Sequence, residues 1–327
     1  MSGNVYAAID LGTNNCRLLV ARVKNDSFRV IDSFSRIVRL GEGLTVGNQL
    51  NQAAVERTIE ALQVCADKIH ANGVDKSRSI ATEACRRATD CDVFYDRVLQ
   101  ETGIELETVT AQQEAQLTLD GCAQLLDKRT SQAIVFDIGG GSTELMWVKR
   151  SSTGEVIILD MLSLPVGVVT LTEQYGSGVV EPYHYEEIIN QVDAGLEPFD
   201  RANGISNQLQ ENKVQMLGTS GTVTTLGGIY LNLSRYNRSR VDGLDMRVET
   251  IAAISKRLAK MGLAERAQHG CIGEERADLV VMGCAIMEAI CRRWPTQKVR
   301  AADRGIREGL LKGLIREQGD SFNGAIT

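Results

Sequence analysis

Histidines are few in this sequence, and a net positive charge and long apolar runs are missing, and each of these excludes a class of function. The three histidines lie in segments without another catalytic signature, so neither a histidine-based triad nor a zinc site is expected. A general base, if present, is then a carboxylate. The net charge of −6 argues against a nucleic-acid partner. No apolar run approaches the ~20 residues that span a bilayer, and residues 1–4 are too short and polar for a signal peptide, so no membrane partner is expected.

The cysteines lack the spacing of a metal or redox motif. None of the eight belongs to a C-x-x-C pair, and most lie in apolar surroundings. We interpret them as small core residues in a reducing environment, which predicts a cytoplasmic protein. With 327 residues, 43% of them hydrophobic and 24% charged, the chain has the composition of a globular protein that is long enough for two domains.

One stretch, residues 133–149, predicts a buried strand, a tight glycine turn and a second strand. Asp137 interrupts the apolar residues near the end of the first strand, and Gly139, Gly140 and Gly141 follow. Glycines let backbone N–H groups approach a ligand closely, and consecutive N–H groups form a cradle for an anion. A carboxylate beside such a cradle indicates a metal ion held between it and a phosphate.

The same pattern occurs a second time near the start of the chain. Residues 9–22 align without gaps on residues 136–149, which places Asp10 over Asp137 and Gly12 over Gly139. Two such copies predict two related halves that face one nucleotide or phosphate chain. We place the boundary in the polar segment that follows residue 126. The predicted domains are residues 1–126 and 127–316, with residues 317–327 as a tail and with the last helix able to pack back on the first domain.

Apolar periodicity predicts the main helices and strands. Three early strands precede any helix, which favours a mixed sheet. A helix is predicted over residues 52–71 with Asn51 as its N-cap, and another over residues 274–292, almost wholly buried. A strand is predicted over residues 104–109.

Three further segments carry candidate site residues. Ser220, Gly221 and Thr222 open a predicted helix and offer an anion-binding N-terminus, although a loop chosen for turn geometry is the alternative. Arg86 is predicted near a helix N-terminus, where its charge opposes the helix dipole unless an anion is its partner; a solvated arginine is the alternative. Glu114 is predicted in the first turn of a helix, where a glutamate is ordinarily only a partner of the dipole.

These segments occur in the order seen in one family. AAIDLGTNN (residues 7–15), ATEACRRA (81–88), QQEAQLTLDG (112–121), FDIGGGSTEL (136–145), LGTSGTVTTL (217–226) and AADRGIREGLL (301–311) resemble the exopolyphosphatase/guanosine-pentaphosphate phosphatase (Ppx/GppA) family. The resemblance covers about residues 5–315 and is to a short form without the C-terminal HD-type region.

The resemblance implies an α/β fold with two domains, namely the actin-like ATPase fold with duplicated ribonuclease-H-like halves and an interdomain cleft. It implies metal-dependent removal of terminal phosphates from inorganic polyphosphate or guanosine pentaphosphate, with Mg²⁺ as cofactor and Mn²⁺ as the alternative. We also expect a homodimer.

The catalytic glutamate of the family matches Glu114, and its metal positions match Asp10, Asp137 and Glu144. With the glycine turns, the matched positions give a phosphate-binding set of Gly12, Thr13, Asn14, Arg86, Gly139, Gly140, Gly141, Ser142, Thr143, Ser220, Gly221 and Thr222. Gln113 departs from the glutamate that the family usually has beside the catalytic position.

The leading hypothesis is therefore an exopolyphosphatase that releases orthophosphate from the end of polyphosphate. A guanosine pentaphosphate phosphohydrolase is the first alternative. An ATP-dependent kinase would need an adenosine pocket for which the sequence gives no sign. A catalytically weak polyphosphate- or nucleotide-binding protein is supported by Gln113 and opposed by the retained Glu114, Asp137 and Glu144.

Overall fold

The structure is a computed structural model that describes residues 3–24, 27–209 and 214–323. Its strands are β1 Val5–Leu11, β2 Asn15–Lys24, β3 Ser27–Ile37, β4 Lys76–Ala81, β5 Glu107–Thr108, β6 Gln132–Ile138, β7 Thr143–Arg150, β8 Val156–Leu164, β9 Val214–Thr219, β10 Asp245–Arg247 and β11 Lys298–Ala302.

The helices connect or follow these strands. They are α1 Leu44–Gly47, α2 Gln52–Ala71, α3 Glu83–Arg87, α4 Cys91–Thr102, α5 Ala111–Cys122, α6 Val168–Tyr175, α7 Pro182–Asn203, α8 Ile205–Leu209, α9 Gly221–Tyr230, α10 Arg238–Val241, α11 Val248–Lys260, α12 Leu263–Ala267, α13 Val280–Arg293 and α14 Ile306–Asn323, with 3₁₀ turns at Ala123–Leu125 and Glu274–Arg276. No helix in the described part of the chain combines the length and the apolar character needed to cross a bilayer.

The chain divides into two compact units. Unit 1 comprises Met1–Cys122 and Gly305–Thr327, and unit 2 comprises Ala123–Arg304. The predicted boundary lies at residues 126/127, and the last helix, up to residue 316, is predicted in the second domain but able to pack back on the first. In the structure α14 packs against α5 and β1, because Gly121 and Gly309 let the two helix backbones meet: a Cβ on Gly121 would lie 1.9 Å from the carbonyl oxygen of Gly305.

Unit 1 is built on a five-stranded sheet with the order β3-β2-β1-β4-β5. β1 runs antiparallel to β2 and parallel to β4. Because side chains alternate along a strand, Val5, Ala7 and Ile9 pack with α2 and α4, whereas Tyr6 and Ala8 pack with α14. Helices therefore cover both faces of this sheet.

Unit 2 repeats this plan around a six-stranded sheet with the order β10-β11-β9-β6-β7-β8. Here β6 is antiparallel to β7 and parallel to β9, and β9 is parallel to β11. Ile134, Phe136 and Ile138 of β6 point into a core shared with α6, α7 and α13. The mixed sheet and the duplication that the sequence predicted are both confirmed.

The repeat extends to the register of individual residues. Asp10 pairs with Arg17 across β1 and β2, and Asp137 pairs with Glu144 across β6 and β7, as the gapless alignment requires. The second strand of each hairpin also has an irregularity at the same aligned place, after Val20 in one half and after Trp147 in the other. The two hairpins are thus the same structure built twice.

Several local predictions need correction. The helix predicted over residues 274–292 is a 3₁₀ turn followed by α13. Of the strand predicted over residues 104–109, only the two residues of β5 are extended and paired. The predicted tail at residues 317–327 begins inside α14, and its last four residues lie outside the described residues. The prediction for residues 52–71 is confirmed: Asn51 accepts hydrogen bonds from the N–H groups of Ala53 and Ala54.

Candidate functional site

In unit 1, the candidate residues gather at the carboxyl-terminal edge of the sheet. Asp10 lies near the end of β1 beside Ile80 of β4, and β5, next along the sheet, leads into α5. In mixed and parallel sheets this edge is where ligands bind, because the loops and helix N-termini that follow the strands meet there. Asp10, the turn after β1, α3 and the start of α5 therefore belong to one edge.

Asp10 is a buried carboxyl whose neighbouring arginines only partly offset the cost of burial. It is 8% exposed, and Arg17 is its cross-strand neighbour. Burial raises the pKa of the Asp10 carboxyl above its ordinary value, while the charges of Arg17 and Arg307 act to lower that pKa. Because burial dominates, the ionised form of Asp10 costs folding free energy even with arginine beside it.

The first turn is braced from behind by the segment that follows β3. The N–H groups of Val38 and Arg39 both donate to the carbonyl oxygen of Asn14, and Gly41 N–H donates to that of Thr13. Gly12 N–H closes the turn on Asn15 at 2.9 Å. The side-chain oxygen of Asn14 is buried without a hydrogen-bond partner among the described residues, which marks this turn as a place where a polar ligand would complete the bonding.

Glu114 and Arg86, which the sequence named from separate segments, form an ion pair. Arg86 Nη1 donates to Glu114 Oε2 at 2.7 Å and to the carbonyl oxygen of Val109 at 3.0 Å. Glu114 is 8% exposed. Partial burial by itself lowers the pKa of the Arg86 guanidinium, but the charges of Glu114 and Glu83 outweigh burial and raise that pKa overall.

The expected position of Arg86 at a helix N-terminus is wrong. Arg86 and Arg87 lie in the last turn of α3, where positive charge is favourable to the helix dipole. Arg86 therefore needs no anion to offset the helix dipole, and its contacts with the Glu83 and Glu114 carboxylates explain its position instead.

Gln113, which departs from the family pattern, caps the N-terminus of helix α5. Its side-chain oxygen accepts the N–H of Thr110 at 2.8 Å, and the Thr110 hydroxyl accepts the N–H of Gln113 at 3.2 Å. This reciprocal capping box starts α5 and fixes the backbone that carries Glu114. Because glutamine caps as well as glutamate does, the substitution at residue 113 leaves the position of Glu114 unaffected.

In unit 2, the two acidic candidates face each other across the hairpin. Asp137 and Glu144 are cross-strand partners, and directly opposed side chains lie on the same face of a sheet. Glu144 is 2% exposed, and its Oε1 accepts the hydroxyls of Ser142 at 2.6 Å and of Ser163 at 3.0 Å. Two like charges at this spacing repel each other, so the pair favours a bound cation.

The donor set fits magnesium. Mg²⁺ prefers oxygen ligands and is ordinarily held by one or two carboxylates together with water and substrate phosphates. Asp137 and Glu144 supply two such carboxylates, and no cluster of three or more metal-binding side chains occurs among the described residues. The third predicted ligand, Asp10, lies in unit 1 opposite Arg17.

The glycine turn beside this acidic pair presents N–H groups. The carbonyl oxygens of Gly139 and Gly140 accept N–H groups from Val168 and Val169 at the start of α6, so the carbonyls point to the back of the turn. Nothing in residues 3–24, 27–209 or 214–323 accepts the N–H groups of Gly140 and Gly141. Such consecutive N–H groups form an anion-binding nest.

The Ser142 and Thr143 hydroxyls of this turn donate hydrogen bonds to other groups of the protein. Thr143 is fully buried and donates to the carbonyl oxygen of Val166 at 2.7 Å, and Ser142 donates to Glu144. A phosphate at this turn would therefore meet backbone N–H groups first.

Ser220 lies next to the acidic pair because β9 is the parallel neighbour of β6, with Asp137 beside Thr219. Its backbone has φ 98° and ψ 176°, a conformation that is almost confined to glycine, and its hydroxyl is buried without a partner in the described chain. Gly221 and Thr222 begin the ten-residue helix α9, whose first N–H groups have no intrahelical acceptor. Strain and an unsatisfied donor at a helix N-terminus together indicate an anion site.

Two contributors were missed in the sequence analysis. Glu83 precedes Arg86 by three residues in ATEACRRA, a spacing that permits an ion pair on one helix, so a signal was present. Ser163 bonds to Glu144 only because β8 pairs with β7 in the observed register, and no local pattern indicated this contact.

Comparisons with known proteins agree with this architecture. A model of the Ppx/GppA phosphatase family matches residues 19–318. A family member from Aquifex aeolicus is 25% identical with a TM-score of 0.77, and the match covers 96% of this chain and 98% of that one. An exopolyphosphatase-like protein is also 25% identical, with a TM-score of 0.86 and 96% and 99% of the two chains covered.

An exopolyphosphatase from Cytophaga hutchinsonii, at 23% identity, TM-score 0.85 and 96% and 98% coverage, shows likeness of fold alone. The predicted two-domain, actin-like α/β fold is confirmed by these structures and by the repeated sheets. From the family model that spans most of its length, this chain belongs to the Ppx/GppA phosphatase family.

Proposed function

We propose that this chain is an exopolyphosphatase, which hydrolyses the terminal phosphoanhydride of inorganic polyphosphate and releases orthophosphate. The observation that carries the proposal is the buried Glu114 carboxylate, fixed by Arg86 at the start of a capped helix. A carboxylate held in this way is a suitable general base for a water molecule. Family membership supports the reaction class.

The remaining residues bind the phosphate chain in this proposal. The N–H groups of Gly140 and Gly141 donate to phosphate oxygens, as do the Ser220 hydroxyl and the first N–H groups of α9. Asp137 and Glu144 hold Mg²⁺, which when bound neutralises charge on the phosphate oxygens. Phosphoryl transfer asks little covalent chemistry of a protein, so positioning and charge stabilisation supply most of the rate enhancement.

Glu114→Gln tests the proposal. Glutamine keeps the size of the side chain but accepts no proton, so we expect phosphate release from long polyphosphate with Mg²⁺ to fall by about 10²- to 10⁴-fold. Glu56→Gln, which alters an exposed pair with Arg97, is the matched control and keeps wild-type activity. Melting curves verify that both variants are folded. Phosphate release near the wild-type rate by folded Glu114→Gln contradicts the role of Glu114.

Guanosine pentaphosphate is the alternative substrate, because the matched family includes phosphatases of both kinds of compound. Initial rates on polyphosphates of several lengths and on the nucleotide, each with and without Mg²⁺, separate the two activities. A higher kcat/KM for polyphosphate is expected. A clear preference for the nucleotide reverses the assignment, and tight binding without release of phosphate indicates a binding protein.

A further inference from the structure

Arg86 lies between two carboxylates, and only one of them is the proposed base. Its Nε donates to Glu83 Oε2 at 3.0 Å, and its Nη2 lies 2.9 Å from the same oxygen. Its Nη1 faces the other way and donates to Glu114 Oε2 and to the carbonyl oxygen of Val109. Nε is therefore the atom that is hydrogen-bonded to Glu83 on the same helix, α3, while Nη1 reaches α5. Nη2 is close to the Glu83 oxygen but is buried without a hydrogen-bond partner in the described chain.

All three side chains are largely shielded from water. The side chains of Arg86, Glu83 and Glu114 are 16%, 17% and 10% exposed in these contacts. Charges act on one another more strongly here than in an exposed pair, and water cannot fully solvate a charge whose partner has been removed. The orientation of Arg86 is consequently sensitive to Glu83.

Arginine prefers to meet a carboxylate through two parallel N–H donors. If Glu83 no longer accepted the hydrogen bond from Nε, the guanidinium would be able to turn its Nε and Nη2 edge towards Glu114. A pair of that kind would pull the carboxylate from its present direction and would place the full positive charge of Arg86 on it. Both effects would make Glu114 a poorer acceptor for the proton of a water molecule.

We propose that Glu83 is a positioning residue for the reaction, which acts through Arg86 to fix the direction of the Glu114 carboxylate. The inference rests on the proposed function. It assigns a role to a residue outside the metal- and phosphate-binding set, and it explains why a helix of only five residues carries both an acid and a base one turn apart.

The test measures kcat and KM for phosphate release from polyphosphate with Mg²⁺. Glu83→Ala is expected to lower kcat by about 10-fold or more with KM within about twofold, because misplacement of a catalytic group affects the chemical step. Glu83→Gln keeps the length and an acceptor oxygen and is expected to retain most of kcat. Glu83→Asp keeps the charge but shortens the reach, so its kcat is expected to fall.

Glu56→Ala is the control, because Glu56 also pairs with an arginine, Arg97, at 3.0 Å and 3.1 Å but in an exposed setting. It should leave kcat and KM unchanged. A double mutant sharpens the test: since Glu83 acts through Arg86, adding Glu83→Ala to Arg86→Met should lower kcat no further.

Wild-type kcat in folded Glu83→Ala overturns the inference, as does an additive loss in the double mutant. If Glu83→Ala does not fold, the other two variants decide: wild-type kcat in Glu83→Asp together with a large loss in Glu83→Gln overturns it, because charge and not position would then matter. Failure of the proposed function looks different, since the wild-type protein itself would release no phosphate, and that result overturns both.

Discussion

The two glycine hairpins have one backbone design and opposite electrostatics. In each, an aspartate is the next-to-last residue of the first strand, a glycine closes the turn, and a later segment donates hydrogen bonds to the carbonyl oxygens of the turn. The residue opposite the aspartate is Arg17 in unit 1 and Glu144 in unit 2. The first hairpin places an arginine beside its acid and so partly offsets the charge, whereas the second presents two acids and favours an external cation. The two hairpins therefore share one backbone structure but differ in the charges that they carry.

The largest effect is expected from removal of an acid in the second hairpin. Glu144→Gln keeps an acceptor for Ser142 and Ser163 but halves the charge of the pair with Asp137, so phosphate release should fall by about 10²-fold or more. Added Mg²⁺ should raise the melting temperature of the wild-type protein and raise that of the variant less.

Glu56→Gln is the control and should respond to Mg²⁺ as the wild-type protein does. An equal Mg²⁺-induced shift in Glu144→Gln and wild type would show that the acidic pair does not hold the metal.

The two turn glycines should differ in their tolerance of alanine. A Cβ on Gly139 would lie 2.8 Å from the carbonyl oxygen of Ser142, whereas a Cβ on Gly12 would lie 3.7 Å from that of Asn15. Gly139→Ala should therefore reduce the free energy of unfolding by about 1–3 kcal/mol, because backbone must shift to relieve the contact. Gly12→Ala should change it by less than about 0.5 kcal/mol.

Urea unfolding measures both variants. An equal loss of unfolding free energy in the two variants would mean that the two turns are packed equally tightly, and would contradict the difference in space around Gly12 and Gly139.

The N-cap residues of α3 and α9 should respond to glycine with opposite signs. Ser220 has φ 98° and Thr82 has φ −117°, so glycine relieves strain only at residue 220. Ser220→Gly should stabilise unit 2 by about 1 kcal/mol, and Thr82→Gly should destabilise unit 1 by a similar amount. The gain in stability at residue 220 should accompany a loss of phosphate release, because the variant lacks the buried hydroxyl.

Thermal melting and phosphate release measured on the same preparations check both statements. A Ser220→Gly protein with lower stability and unchanged activity would contradict the strain argument and the anion site together.

The smallest effect concerns Asp10. Burial raises the pKa of Asp10 in the folded state above the ordinary value of 3.8, so between these two pKa values the folded protein binds more protons than the unfolded chain. This carboxyl therefore makes stability fall as pH rises through that window, and its unfavourable contribution is fully present above the folded-state pKa.

Asp10→Asn should remove that pH dependence. The variant should gain stability relative to the wild-type protein above the window, and the difference should shrink as pH falls towards 3.8. Urea midpoints across pH measure it. A wild-type protein that instead gains stability with rising pH, relative to Asp10→Asn, would mean that Arg17 outweighs burial.

Features that depend only on residues close together in the sequence could be predicted, and features that depend on distant contacts could not. The duplicated hairpin, the cap at Asn51 and the glycine turns follow from patterns within about twenty residues, and the gapless alignment of residues 9–22 on 136–149 anticipated the observed register. The position of Arg86 on its helix was missed, because the short α3 ends where the sequence suggested that a helix begins.

The sequence by itself determined two like halves, each with an aspartate, a glycine turn and a following helix, because strand periodicity and glycine spacing are local properties. Only the tertiary structure decided that Glu114 meets Arg86, that Gly121 meets Gly305, and that Ser163 reaches Glu144. These contacts join residues 19 to 184 positions apart, and their partners are selected by strand order and helix packing, which no short pattern encodes.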